Sequence, residues 1–331
     1  MIRTPSLPLR ALGLAALLHL VPTVASAQAA SSEPAPALRA EACSVEGLMD
    51  SIRRGLGSKS AAYRKYLRTL LRESAVTLPE AELRAAYERE TDPVMAEHLA
   101  AALVARTERG ADPAAMGVVA KRILDERDPA LRVASLRALR RTSATENTGD
   151  LYERLARDAS PEVRQEAATN LIEDNQFVYS GHHGPAADAA VTSAAASPDP
   201  KVTARILDSV STEHISAESG ERLKSLLRSD DASVRAAAAN ALGGVPAEQM
   251  AGSREALLAM YRDEPDAGVR KMLLQSIAQL GFAGAIPDLQ RLRGVDPSLA
   301  PEVDAWIRAL GLGLQEWSLI LREKQRLQQA P

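Results

Sequence analysis

A single cysteine, Cys43, stands among 331 residues, so no disulfide forms within the chain and its fold rests on packing. Cys43 follows the apolar N-terminal run only after residues 28–42, a poor position for a lipid-modified cysteine. Aromatic residues are scarce at 3%. The abundance of Ala, Leu and Arg in their place favours helix over strand. No basic excess exists: 40 Lys and Arg face 43 Asp and Glu, for a net charge of −3. The electrostatic footprint of nucleic-acid binding is therefore missing, and no nucleic-acid partner is expected. Glycine-rich phosphate loops, G-x-S-x-G elbows and H-E-x-x-H pairs are also missing, so the chain reads as a non-enzyme without a cofactor.

What the N-terminus does contain is an address. Arg3 and Arg10 precede the apolar run 11–21, and Ala25-Ser26-Ala27 supplies small residues at a cleavage position. The run is about half the roughly 20 residues that span a bilayer. A signal peptide over 1–27, cleaved after Ala27, is expected, with a periplasmic or secreted destination. Residues 28–43, rich in Ala, Ser and Pro, read as a flexible leader.

Further along, one short pattern recurs. Asp128-Pro129-Ala130-Leu131-Arg132 is echoed by Ser160-Pro161-Glu162-Val163-Arg164, Asp199-Pro200-Lys201-Val202, Asp231-Ala232-Ser233-Val234-Arg235 and Asp266-Ala267-Gly268-Val269-Arg270. Diverged copies begin at Asp92-Pro93-Val94 and Pro301-Glu302-Val303. Aligned on positions 94, 131, 163, 202, 234, 269 and 303, the intervals are 37, 32, 39, 32, 35 and 34 residues, one helix pair each. Asp or Ser caps the helix start, and Pro tolerates the first position because its missing N–H is not needed there. Counting from the aliphatic residue, positions +4, +5 and +8 share its face. They read Ser135, Leu136, Leu139; Ala167, Ala168, Leu171; Ile206, Leu207, Val210; Ala238, Ala239, Leu242; and Leu273, Leu274, Ile277.

Partner helices are expected near 80–90, 113–125, 150–157, 186–195, 221–228, 253–262 and 283–293. Gly243-Gly244, Gly281 and Gly311 read as C-terminal caps. Residues 44–78 read as N-terminal capping helices and 79–311 as the repeat array. Residues 312–331 read as a C-terminal capping helix whose apolar face is Leu314, Trp317, Leu321 and Leu327.

The Asp-Pro-x-Val-Arg starts, the stripes behind them and the entry Gly284-Ala285-Ile286-Pro287-Asp288-Leu289 resemble HEAT repeats, particularly the short type of phycobilisome-lyase-like proteins. The resemblance covers roughly 79–311 and implies an all-α, right-handed α-solenoid of about seven helix pairs with helical caps. Met95, Thr203 and Asp304 depart from it where the pattern has Arg. A lyase activity does not follow from a shared repeat. Glu97-His98 and Glu213-His214 reverse the order of the His-Glu pairs of HEAT-type hydroxylases and are too few, so that enzyme is rejected.

In such stacks the second helix of each pair lies on the concave side. Opposite the buried stripe it offers Glu97, Arg137, Gln165, Glu166, Thr169, Arg205, Asp208, Asn240, Lys271, Met272 and Gln275. This mixture of charges, amides and hydroxyls suits a protein or peptide partner. The motif arginines, Arg132, Arg164, Arg235 and Arg270, are expected to pair with carboxylates of neighbouring repeats. The long interval holds an irregular segment, 174–184, read as a loop with Phe177 and Tyr179 tucked onto the core and with His182 and His183 adjacent. Those histidines carry an alternative reading as a metal-binding or sensing site. A structural subunit of an envelope assembly, with contacts at the repeat ends, is the third reading.

Overall fold

A computed structural model describes residues 44–178 and 183–329, and among them every regular element is helical. The signal peptide, the leader and Cys43 lie outside the described residues, as do Tyr179 and His182. Contacts divide the chain after residue 39, and the helices belong to the second unit.

Two helices, α1 (Val45–Leu56) and α2 (Ala61–Ser74), open the array. Seven pairs follow: α3 (Glu80–Arg89) with α4 (Pro93–Glu108), then α5 (Ala115–Asp125) with α6 (Pro129–Leu139). A one-turn helix, α7 (Ala144–Asn147), precedes the third pair, α8 (Leu151–Ala156) and α9 (Pro161–Glu173). Next come α10 (His183–Ala196) with α11 (Pro200–Ser209), and α12 (Ala217–Leu226) with α13 (Ala232–Leu242). The last pairs are α14 (Ala247–Tyr261) with α15 (Ala267–Gly281), and α16 (Ile286–Val295) with α17 (Ala300–Leu310). Helix α18 (Trp317–Gln329) ends the described chain.

The recurring pattern starts each second helix for the reason its chemistry suggests. Asp92, Asp128, Ser160, Asp199, Asp231 and Asp266 all accept backbone N–H groups of the first turn through their side chains. Every stripe residue from Ser135 to Ile277 named above is buried, Val210 marginally so at 9% exposure. Neighbouring pairs thus cover one another's apolar faces in a continuous core, and the fold is an α-solenoid.

Second helices pack against one another along the whole row, from α2 through α4, α6, α9, α11, α13 and α15 to α17. First helices approach less closely at every other junction than that of α8 with α10, and α3 with α5 or α14 with α16 hardly meet. Over most of its length the row therefore bends with the second helices inside. Helices α1 and α2 join it as a further pair, α1 against α3 and α2 against α4.

Three expectations need correction. Val94 does not begin the buried stripe of α4: it is 51% exposed, and Met95, at 2%, takes that place. The cap fixes the frame, since the buried residue lies three positions after the capping Asp or Ser, and Asp92 plus three is Met95. Gly281 is not the C-terminal cap of α15 either: it is the last helical residue, at φ −111°, and the cap is Phe282, at φ 46°. Glycine is needed at 281 because a Cβ there would lie 2.8 Å from that of Ala285. Finally, residues 174–178 are not a loop but one π-helical turn continuing α9. Its Asn175 is buried, accepting from Ser211 N at 2.8 Å and donating to Ser211 O at 3.4 Å beyond the end of α11.

At the far end, Ile320 of α18 is buried and Leu314, Trp317, Leu321 and Leu327 pack beside it. Trp317 stacks on Trp306 of α17 with ring centroids 5.4 Å apart, and its ring meets Phe282 edge-on at 6.2 Å.

Candidate partner-binding face

The inner face carries side chains that link one second helix to the next. Arg137 of α6 lies 3.6 Å from Glu166 of α9, which Arg140 also grips. Arg205 of α11 donates to Thr169 of α9 at 3.0 Å. Asp208 and Asn240 share a hydrogen bond between α11 and α13. Glu97 sits half-buried on α4, Gln165 is exposed on α9, and Lys271 is exposed on α15 beside half-buried Met272 and Gln275. The sequence-predicted residues therefore form a polar strip over six helices, several of them already paired across the repeats they connect.

Between α2, α4 and α6 this face deepens into a groove of about 580 Å³. Glu97 and Arg137 line it together with Thr69, Arg72, Val94, Arg109, Arg140 and Arg141. Sequence reading placed only Glu97 and Arg137 there. The run Arg137-Ala138-Leu139-Arg140-Arg141 is the signal in sequence, whereas Thr69 and Arg72 lie on α2, before the first recognisable repeat.

On the edge where each first helix turns into its second, the motif arginines form a ladder. Arg132 makes a two-pronged pair with Asp158 in the next unit and donates to Ile123 O. Arg235 does the same with Glu264, both bonds at 2.8 Å, and also donates to Ser229 O and Asp230 O. Arg270 reaches Asp296 at 3.0 Å, and Arg164 approaches Asp199 at 4.0 Å. The position five residues before the buried aliphatic, which receives Arg132 and Arg235 but not Arg164 or Arg270, is a pattern that sequence reading missed. Glu90, Glu126, Asp158, Ser197, Ser229 and Glu264 occupy it, and each side chain accepts a backbone N–H of its own turn.

Asp174 closes the inner edge beside the groove. Its carboxyl is fully buried, accepts from Arg141 N at 2.6 Å through Oδ1, and has no hydrogen bond at Oδ2. Burial pushes its pKa up to about 7, reinforced by Glu173 and Glu108 and opposed by the Arg141 amide and Arg140. A carboxyl that holds its proton more tightly folded than unfolded stabilises the fold at acid pH. That contribution fades as pH rises from about 4 through about 7. Asp174→Asn is expected to flatten this limb, leaving the variant more stable than the parent at alkaline pH by up to about 4 kcal/mol. Urea unfolding across the pH range measures it, and parallel pH profiles for the two proteins would refute it.

Among the described residues, no group of three or more His, Cys, Asp or Glu is placed to hold a metal ion. The side chains of Phe177 and His183, like Tyr179 and His182, lie outside the described set. No described helix is long and apolar enough to cross a membrane.

Residues 187–278 match the HEAT-repeat family. No curated protein matches the sequence. Among solved structures, an engineered protein is 20% identical, covering 83% of this chain and 82% of its own, with a TM-score of 0.39. YibA of Escherichia coli is 13% identical over 85% and 92%, at 0.41. A chain of the Pds5–Scc1 complex, described in relation to cohesin function, is 14% identical over 79% and 56%, at 0.39. Over residues 187–278 the sequence matches HEAT repeats, and the same stacking of helix pairs continues on both sides of that stretch.

Proposed function

We propose that this protein is an exported scaffold that binds a protein or peptide across the inner face of its second helices. The observation that carries the reading is the continuous polar strip from Glu97 to Gln275, on the side toward which the row bends. Extended inner faces of this kind are what solenoids offer to partners. HEAT repeats commonly mediate protein–protein interaction, and the residues here are mixed in sign, as a protein interface requires and a phosphate channel does not. Export rests on the Arg3 to Ala27 address.

A photo-crosslinker placed singly at Gln165, Asn240 or Gln275, on three different second helices, tests the face in the native envelope fraction. The same partner is expected from all three positions and none from Lys121 or Glu218, exposed on first helices. Adducts from the first helices instead, or from neither set, would overturn the proposal.

A further inference from the structure

Resting on that reading, we infer that the groove between α2, α4 and α6 is a subsite for an acidic, extended segment of the partner. Five of the residues lining it are arginines, Arg72, Arg109, Arg137, Arg140 and Arg141, against two glutamates, Glu97 and Glu108, in a chain of net charge −3. Arg109 is paired with the exposed Glu73 at 3.2 Å, but the carboxylates that hold Arg137, Arg140 and Arg141 lie behind the wall. Glu166 and Glu173 are 13% and 21% exposed, whereas Arg137 and Arg141 are 51% and 57% exposed. The guanidinium of Arg72 has no partner among the described residues. What faces the groove is thus an array of guanidinium groups, suited to carboxylates by their forked donors.

The backbone points the same way. Arg141 adopts φ 58°, a left-handed conformation at a helix end where glycine carries no penalty. An arginine held there against its preference, by the bond from its amide to Asp174, places a cation on the groove wall that a glycine would not. The floor is of small residues, Ala101 and Ala138. Val94, out of register with the buried stripe, stands exposed beside them, and Tyr66, 49% exposed, lies one turn from Thr69 on α2. Small floor, apolar edge and cationic wall together fit a peptide backbone bearing carboxylates at intervals, and not a compact anion.

Fluorescence anisotropy on the full chain tests this with a labelled peptide of repeated Glu-Ala-Pro, kept extended by its prolines. Binding is expected to weaken with salt and to exceed that of the matching Lys-Ala-Pro peptide by at least about tenfold, the order of a charged hydrogen bond. Arg72→Glu combined with Arg137→Glu is expected to abolish it. Arg141→Gly relieves the backbone, so that variant is expected to melt at a higher temperature yet bind the peptide more weakly. Equal binding of the two peptides, equal binding by the variants, or preferential binding of inorganic polyphosphate would overturn the assignment. If the acidic peptide fails while crosslinks from Gln165, Asn240 and Gln275 persist, the subsite falls and the inner-face reading stands. Loss of both removes both.

Discussion

Replacing Glu264 with alanine is expected to destabilise the protein by about 3–5 kcal/mol, the range for breaking a buried ion pair from one side. Its side chain is 1% exposed and takes both prongs of Arg235, itself 13% exposed, while Oε1 also accepts the amide of Asp266 at 2.9 Å. Truncation leaves a desolvated guanidinium with only the carbonyls of Ser229 and Asp230, and leaves a backbone N–H without its acceptor. Urea unfolding reads the loss directly. Adding Arg235→Met should recover much of it, because a buried pair replaced by apolar packing is often close to neutral. A loss below about 1 kcal/mol for Glu264→Ala would show that the ladder is surface decoration. Acid provides a second reading. The bond from Arg235 holds the Glu264 carboxyl below the ordinary carboxylate range. Its stabilisation is therefore present above the unfolded pKa, near 4.5, and is lost as pH falls through the lower folded value. The alanine variant should show a shallower decline there.

An effect of similar size, about 3–5 kcal/mol, is expected from Trp306→Ala. Trp306 is fully buried under Trp317, and Lys324 sits 4.9 Å above its ring, paired at 2.5 Å with Glu302. Removing that ring opens a cavity and takes away the platform on which α18 rests. The uncovered apolar end of α17 would then be free to meet another copy, so concentration-dependent self-association on size-exclusion chromatography should accompany the loss. Trp317→Ala should reproduce the association at smaller cost in stability, its ring being only half-buried. A monomer at all concentrations for both variants would show that α18 does not close the row.

How far these features could be read from sequence depended on whether they were local. A capping Asp or Ser, in most copies a following Pro, and a stripe at helical spacing are settled within a dozen residues, and they located the second helices from α4 to α15; α17, whose cap is Leu299, was marked only by Pro301-Glu302-Val303. The arginine pairs were also legible, because regular placement in each unit implies a regular receiver. The receivers themselves were overlooked: at position −5 the residue changes among Glu, Asp and Ser, which share the ability to accept an amide but look unalike in sequence. The one-residue slip at Val94 had a different source, since α4 is buried almost all round and its apolar residues define no single frame. Asp174 looked like a loop residue because nothing in its own stretch announces that it will be enclosed by α6. The groove arginines come from three helices separated in sequence, so only packing could assemble them.

One break in the ladder changes how two units are joined. At α11 the arginine is replaced by Thr203, whose hydroxyl turns back to Ala194 O within its own unit, and the corresponding receiver in the next unit is the uncharged Ser229. Between α10–α11 and α12–α13 the apolar seam continues, but this edge lacks the ionic clasp that Arg132 and Arg164 supply before it and Arg235 and Arg270 after it. At this junction the units are joined instead by that seam and by hydrogen bonds without an ion pair, Thr212 Oγ1 to Ala241 O and Arg222 to Thr192 Oγ1, both at 2.6 Å, so salt should weaken it less than its neighbours.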